Sequence, residues 1–302
     1  MEPILQGHPS VDEVIALGLD AGFGALAQAI RQFAPDVFLN LHPKPQPLLA
    51  AWWAKVPVRI GERYRWHGFF QTHTVLIQRA VSDRNEVEYN FELLRPLGVT
   101  QFTDHIDFPL SQSQKDWNKS FLTEKGVEGP YVVVHPGAKS QVLHWKAERF
   151  GQLIGHLCQI ENLKVVVTAG PQDGPLIGEA TSFLFALPKD ERPIQVNTGA
   201  LNFHQFAAIC HGALCVVGGP LGPMSLAAAV GTPTVTLFSP APEATPIRWG
   251  AWGNDHKDLI PQNAVCMACR VGYCKKHDPM DALSVAEVLE AIKPYIRKVL
   301  AV

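Results

Sequence analysis

This chain has no apolar run as long as the ~20 residues that a membrane-crossing helix needs. Its start, "MEPILQGHPS", has none of the charged-then-apolar character of a secretory leader. The sequence therefore reads as a soluble, cytoplasmic protein with at most peripheral contact to a membrane. Excess charge of either sign is missing too. Against 28 acids stand 26 lysines and arginines, a net charge of −2, and no basic tail points to nucleic acid as a partner. Sulfur is scarce, with six cysteines and four methionines. Cys158, Cys210 and Cys215 are scattered, whereas Cys266, Cys269 and Cys274 share one short loop. That is not how a disulfide framework is spread through a small secreted domain. Internal repeats and low-complexity tracts are absent, which argues against solenoids and disordered arrays.

What is present is apolar residues in number. They make up 47% of the 302 residues, enough to bury a full core, and at ~150 residues per domain the length suggests two domains. The first third reads as β/α. "GFGALAQAIRQF" has helical spacing, "PDVFLNL" is a buried strand ending at the loop "HPKPQP", "LLAAWWAKV" is a short helix and "VRIGE" a short strand. "NEVEYNFELLRPLGV" is an amphipathic helix stopped by Pro96 and Gly98. A polar, mixed stretch with one short helix follows. The expected layout is a first domain over residues 1–105, a linker over 106–128 and a second domain over 129–302.

The second domain alternates more cleanly. The strands "YVVVHPGA", "KVVVTAGPQD", "IQVNTG", "LCVVGG" and "TPTVTLFSP" are separated by helices such as "KAERFGQLIGHLCQI" and "NFHQFAAICHGA", and "SVAEVLEAIKPYIRKVL" is the terminal helix. Continuously apolar strands between helices predict a parallel sheet covered on both faces. Ligands of such sheets bind outside the carboxyl ends of the strands. The loops Val134–Ser140, Thr168–Asp173 and Gly218–Ser225 should therefore converge on one crevice.

In order and spacing, "VVHPGA", "HWKAERFGQLI", "VVVTAGPQD", "LNFHQFAAICHGALCVVGGPLGPMSLAAAVGTPTVTLFSP" and "IRWGAWG" before "CMACRVGYC" resemble glycosyltransferase family 9, the lipopolysaccharide heptosyltransferases. "PDVFLNLHPKPQPLLAAWWAKVPVRIGERYRW" and "NFELLRPLGV" extend the resemblance to the first third. It implies an α/β, GT-B architecture: two Rossmann-like domains facing across a cleft, with the last helix crossing back to the first. It further implies inverting sugar transfer from a nucleotide-sugar of the ADP-heptose type to a glycolipid or glycan acceptor, without a metal. The first domain would hold the acceptor and the second the donor.

The family's catalytic Asp lies in an "LGD" loop after its first strand, and no such motif occurs here. The chain starts at what looks like the segment after the family's second strand, so the N-terminal domain is expected to lack about one βαβ unit. No catalytic residue is assigned. The resemblance places the donor against His135, Gly137, Ala138, Lys139, Asp173, Leu201, Gly219, Leu221, Gly222 and Ser225. Several positions depart from the pattern. Leu143 stands where the family has a phosphate-binding Lys, with Lys139 and Lys146 nearby. Pro220, Leu221 and Ser225 replace the Asp, Thr and His of a "DTGxxH" turn. Pro220 removes an N–H donor, leaving backbone amides and a helix N-terminus to hold a diphosphate. For His135, Asp173, Leu201 and Ser225 an ordinary structural role stands beside the binding role.

Arg59, Arg63 and Arg65 form a basic cluster with His67 in "RIGERYRWHG". Guanidinium groups grip phosphate and carboxylate in pairs of hydrogen bonds, and the resemblance makes this the acceptor side. Trp66, Phe69 and Phe70 interleave with the cations, which suits sugar stacking and core packing alike. Cys266-x2-Cys269-x4-Cys274-x2-His277 has the spacing of a tetrahedral metal site. Reduced or disulfide-linked structural cysteines are the other reading. Two functions remain open: an active heptosyltransferase-type enzyme, or a non-catalytic relative that keeps the fold and binds or assembles.

Overall fold

The computed structural model describes residues 2–18, 21–42, 44–63, 66–104, 106–137, 144–170, 174–182, 188, 192–197, 199, 201–220, 222–241, 244–253, 255–262 and 278–300. The chain divides into two compact units, Met1–Thr103 and Asp104–Val302.

The first unit carries helices α1 (Glu2–Leu5), α2 (Phe23–Phe33), α3 (Pro45–Trp53) and α4 (Glu86–Glu92) and strands β1 (Val37–Leu39), β2 (Val58–Glu62) and β3 (His73–Val75). The strands pair in parallel in the order β1-β2-β3. Pro47 and Pro45 sit in the first turn of α3, where a missing N–H costs nothing. Asn85 and Glu88 cap α4 reciprocally, each side chain taking an N–H that the helix leaves unpaired. Ile60, Ile77, Tyr89 and Leu93 form the small core. Arg79 fastens α4 to the sheet. It donates to Glu86 at 2.8 Å and to Asn90 at 2.8 Å, meets the buried Glu62, and lies over the Tyr89 ring.

The second unit begins with α5 (Gln112–Glu124), capped by Ser111 with Gln114. Residues 106–128, expected as a linker, thus lie in this unit, and α5 packs on α8 (Phe203–His211). The reason is a buried polar knot: Tyr131 donates to the Ile209 carbonyl at 2.7 Å, and Asn118 of α5 donates to the Tyr131 hydroxyl at 3.4 Å. Gly212 makes room for it, since a Cβ there would stand 2.5 Å from that hydroxyl.

Six parallel strands follow: β4 (Tyr131–His135), β5 (Lys164–Ala169), β6 (Ile194–Asn197), β7 (Val216–Gly218), β8 (Thr234–Leu237) and β9 (His256–Leu259). Their order is β6-β5-β4-β7-β8-β9. Helices α6 (Ala147–Cys158) and α11 (Val285–Leu300) cover one face, where Val132, Val134, Val165, Val167 and Val217 meet Phe150, Ile154, Ile292 and Ile296. The alternate residues Val133, Val166 and Val216 are equally buried, as a strand with side chains pointing both ways requires when both faces are covered. Helix α9 (Gly222–Ala229) packs on β7, β8 and α8. The unit is completed by α7 (Gly174–Thr181) and α10 (Pro246–Trp249). Among the described residues no helix is long and apolar enough to cross a membrane.

Candidate functional site

Numbered within the second unit, the sheet order is third, second, first, fourth, fifth, sixth strand. The chain reverses its direction of winding between β4 and β7, and an open parallel sheet leaves a crevice at that point, beyond the carboxyl ends of the two strands. His135 ends β4 and Gly218 ends β7, and the two are register partners. The ends of β4 and β5 are joined by a buried hydrogen bond between His135 Nδ1 and Thr168 Oγ1 at 2.9 Å. The His135 ring also lies beside Phe206, 6.0 Å between centroids. This His is 5% exposed, so it organises the ends of the strands. Pro136, Gly137 and Gly219 are buried beside it.

Parallel pairing of β4 with both β5 and β7 brings the ends of all three strands together. Ala138, Lys139, Asp173 and Leu221 lie outside the described residues. Leu201 is half-buried and precedes Asn202, the residue that caps α8.

Helix α9 opens where β7 ends. Gly222 takes φ +22 at its first position, a conformation that favours glycine, and no atom lies within 4 Å of where its Cβ would be. First-turn amides of a helix have no partner within the helix, and its dipole adds positive character there. Pro223 contributes no N–H, which leaves the amides of Gly222 and Met224. The Ser225 side chain is exposed on this turn. Polar side chains are thus sparse, and the backbone offers the anion-binding groups.

Lys146 does not stand in for the missing phosphate lysine. Its Nζ is 2.7 Å from Asp281, a bond that raises its pKa. Trp145 donates to the Leu283 carbonyl at 2.9 Å and Arg149 to the Asp281 carbonyl at 2.7 Å. The "HWKAER" segment is therefore a clamp on residues 281–283.

In the first unit Arg59 is half-buried. It donates Nε to the Phe70 carbonyl at 2.7 Å and Nη1 to the Val56 carbonyl, and burial lowers its pKa. Arg63 is exposed at the end of β2; Arg65 lies outside the described residues. So do Cys266, Cys269, Cys274 and His277. Sequence reading missed β3, β9 and the Arg79 network. "HTV" and "HKDL" are short and half polar, with no apolar run to mark them.

A doubly wound parallel sheet with a glycine turn and a helix N-terminus at its switch point defines the class: an open α/β protein, a layout whose ligands bind beyond the strand ends. Comparison with known proteins gives the family. The sequence pattern of Glycosyltransferase family 9 (heptosyltransferase) matches residues 23–278, and the chain belongs to that family. It is 27% identical over 266 residues to lipopolysaccharide heptosyltransferase 3 of Escherichia coli, covering 83% of this chain and 73% of that one. Among solved structures, the family 9 glycosyl transferase of Veillonella parvula superposes with a TM-score of 0.82 at 18% identity, over 98% of this chain and 86% of that one. The Escherichia coli ADP-heptose lipopolysaccharide heptosyltransferase II superposes with a TM-score of 0.73 at 17% identity, over the same shares. The fold is that of the GT-B glycosyltransferases, and the chain is a glycosyltransferase of the heptosyltransferase type.

Proposed function

We propose that this protein transfers a heptose from an ADP-heptose-type donor to a lipopolysaccharide-core or related glycan acceptor. The observation that carries the reading is the switch point, where β4, β5 and β7 end together and α9 opens, inside a family match that spans both units. The names of the relatives, lipopolysaccharide heptosyltransferase 3 and ADP-heptose lipopolysaccharide heptosyltransferase II, support the substrate class.

In this reading the donor diphosphate rests on Gly219 and the first turn of α9, with the Ser225 hydroxyl as an added donor. His135 positions Gly137 for the phosphates; Ala138, Lys139 and Leu221 are assigned to the diphosphate, and Asp173 and Leu201 to the nucleoside. As the sugar leaves, negative charge grows on the diphosphate. Fixed amides and a helix dipole stabilise it without reorganising. Arg59, Arg63 and Arg65 are assigned to the acceptor side, Arg59 by holding the Phe70 and Val56 carbonyls in place. The reaction is written without a metal. The Cys266, Cys269, Cys274 and His277 spacing raises a separate structural-metal question, which metal analysis of the purified protein decides.

A second reading has its own support. Leu143, Pro220, Leu221 and Ser225 replace polar groups of the family pattern, which favours a relative that binds nucleotide without transferring sugar. Incubation with ADP-heptose and a heptose-deficient lipopolysaccharide core, followed by mass spectrometry of the glycolipid, separates the two. A mass gain of one heptose with ADP release supports transfer. ADP binding by calorimetry without transfer favours the second reading, and absence of both removes the donor site.

A further inference from the structure

The strands of the first unit run in parallel, so β1, β2 and β3 deliver their chain to the same edge of the sheet. Ligands of an open parallel sheet bind beyond that edge. The chain leaves β1 through Asn40, Leu41 and His42. Asn40 is 4% exposed, and its N–H still pairs with the Ile60 carbonyl at 2.9 Å. Its side-chain amide donates to the Lys44 carbonyl at 3.3 Å, and the Lys44 N–H donates to the His42 carbonyl at 2.6 Å. These two bonds close a tight loop ahead of α3, with His42 on it. The pairing of Val37 with Val58 and Leu39 with Ile60, counted onward, sets His42 level with Arg63 beyond β2. His42 is exposed, and its side chain makes no hydrogen bond or ion pair among the described residues.

The other imidazoles and carboxylates of the first unit are occupied or lie elsewhere. Glu62 and Glu86 are held by Arg79, Glu92 by Arg84 and Arg95, and Glu88 caps α4. Asp83 accepts from the Tyr89 hydroxyl at 2.7 Å. Asp36 and His73 stand at the amino ends of β1 and β3. His67 is buried, and His8 Nδ1 accepts the Ser10 N–H at 3.1 Å. Glu2 is in α1, Asp12 and Glu13 lie in a stretch that joins no strand, and Asp20 is outside the described residues. Among the described residues of this unit, His42 is the one exposed and unbonded imidazole or carboxylate past the carboxyl end of a strand.

We propose that His42 is the general base of the transfer, its ring hydrogen-bonded to the acceptor hydroxyl. The inference rests on the reading of the chain as a heptose transferase. The hydroxyl oxygen bonds to the anomeric carbon of the donor sugar, and the bond from that carbon to the diphosphate oxygen breaks. The bonding pair leaves with ADP. The hydroxyl proton passes to the neutral imidazole, which then releases it to water. Histidine suits the task because an ordinary imidazole changes its charge between about pH 5 and 8. The charged residues around His42 are Lys44, at the N-cap of α3, and Arg63; α3 itself carries none.

Steady-state transfer by the full chain from ADP-heptose to a heptose-deficient lipopolysaccharide core tests the assignment. His42→Gln should lower kcat by about 100-fold or more, with ADP binding by calorimetry and thermal melting unchanged. The wild-type rate should rise with pH between about 5 and 8, and His42→Gln should lose that rise. Added imidazole should speed His42→Ala by at least about 10-fold, which a merely structural role would not produce. Asp12→Asn/Glu13→Gln should keep the wild-type rate. A His42→Gln variant as fast as wild type, or a loss confined to Asp12→Asn/Glu13→Gln, overturns the assignment and leaves heptose transfer standing. A slow His42→Ala that imidazole does not rescue, with the pH profile kept in His42→Gln, overturns it as well. A wild-type chain that binds ADP and transfers nothing overturns both this assignment and the transfer reading.

Discussion

His135 and Gly218 face each other across β4 and β7, so close that a Cβ at position 218 would stand 2.7 Å from the His135 carbonyl oxygen and 3.2 Å from Met224 Sδ. The two strands end at the switch point, so this approach sets the floor of the crevice. Gly218→Ala must push the strand ends or α9 apart. The expected cost is about 1–3 kcal/mol in urea unfolding, with about 10-fold weaker ADP binding by calorimetry. A variant as stable as wild type and binding ADP equally well would show that the strand ends do not set the site.

Ser225 offers a test in which stability and binding move in opposite directions. A carboxylate in the first turn of a helix interacts favourably with the dipole, so Ser225→Glu should leave stability unchanged or raise it by about 0.5 kcal/mol. The same carboxylate should repel a diphosphate and weaken ADP binding by at least about 10-fold. Ser225→Ala removes one hydroxyl and should cost no more than about 1 kcal/mol of binding. If ADP binds Ser225→Glu as it binds wild type, the diphosphate does not sit at α9.

Arg79 is the counter-charge of the first unit. Removing one partner of a buried ion pair leaves the other charge unpaired, so Arg79→Met should cost about 3–5 kcal/mol. Arg79→Met/Glu62→Gln should cost less, because the stranded carboxylate is gone. Chemical denaturation followed by tryptophan fluorescence measures both, and a double variant no more stable than the single one would mean that Glu62 is not the group Arg79 neutralises.

The legible part of the fold was its long apolar periodicity. "YVVVH" and "KVVVTA" could be nothing but fully buried strands, and "VRIGE" ended where the strand ends. The linker reading of residues 106–128 failed for a physical reason. Polar composition hid two buried contacts, Leu122 and the Asn118 amide on Tyr131, that fasten α5 to the second unit. The candidate site was legible at its glycines, because a strand ending in glycine before a small-residue helix has one plausible geometry. Its side chains were not. Lys146 looked available for phosphate, yet its partner Asp281 lies 135 positions away, a distance no local pattern spans. Arg59 likewise looked like a free cation in "RIGERYRW", and its carbonyl partners became visible only with the turn it fastens.

Asp258 on β9 makes stability fall with rising pH. Its side chain is largely buried, its Oδ1 has no hydrogen-bond partner among the described residues, and Gly250 packs so closely that a Cβ there would stand 2.5 Å from Oδ2. Burial pushes its pKa up to about 6, while the His256 ring 3.8 Å away pulls in the other direction. In the unfolded chain an Asp titrates near ~3.9. Between these values the folded state holds the proton more tightly. The stabilising contribution is therefore complete below about pH 4 and is lost as pH rises through about 6. Discounted for partial exposure, it amounts to roughly 1–2 kcal/mol. Asp258→Asn cannot ionise, so its stability relative to wild type should improve by about 1 kcal/mol between pH ~4.5 and pH ~7. Urea unfolding of both proteins at the two pH values measures this. A difference that stays constant would mean that Asp258 ionises in the folded protein as it does in the unfolded chain.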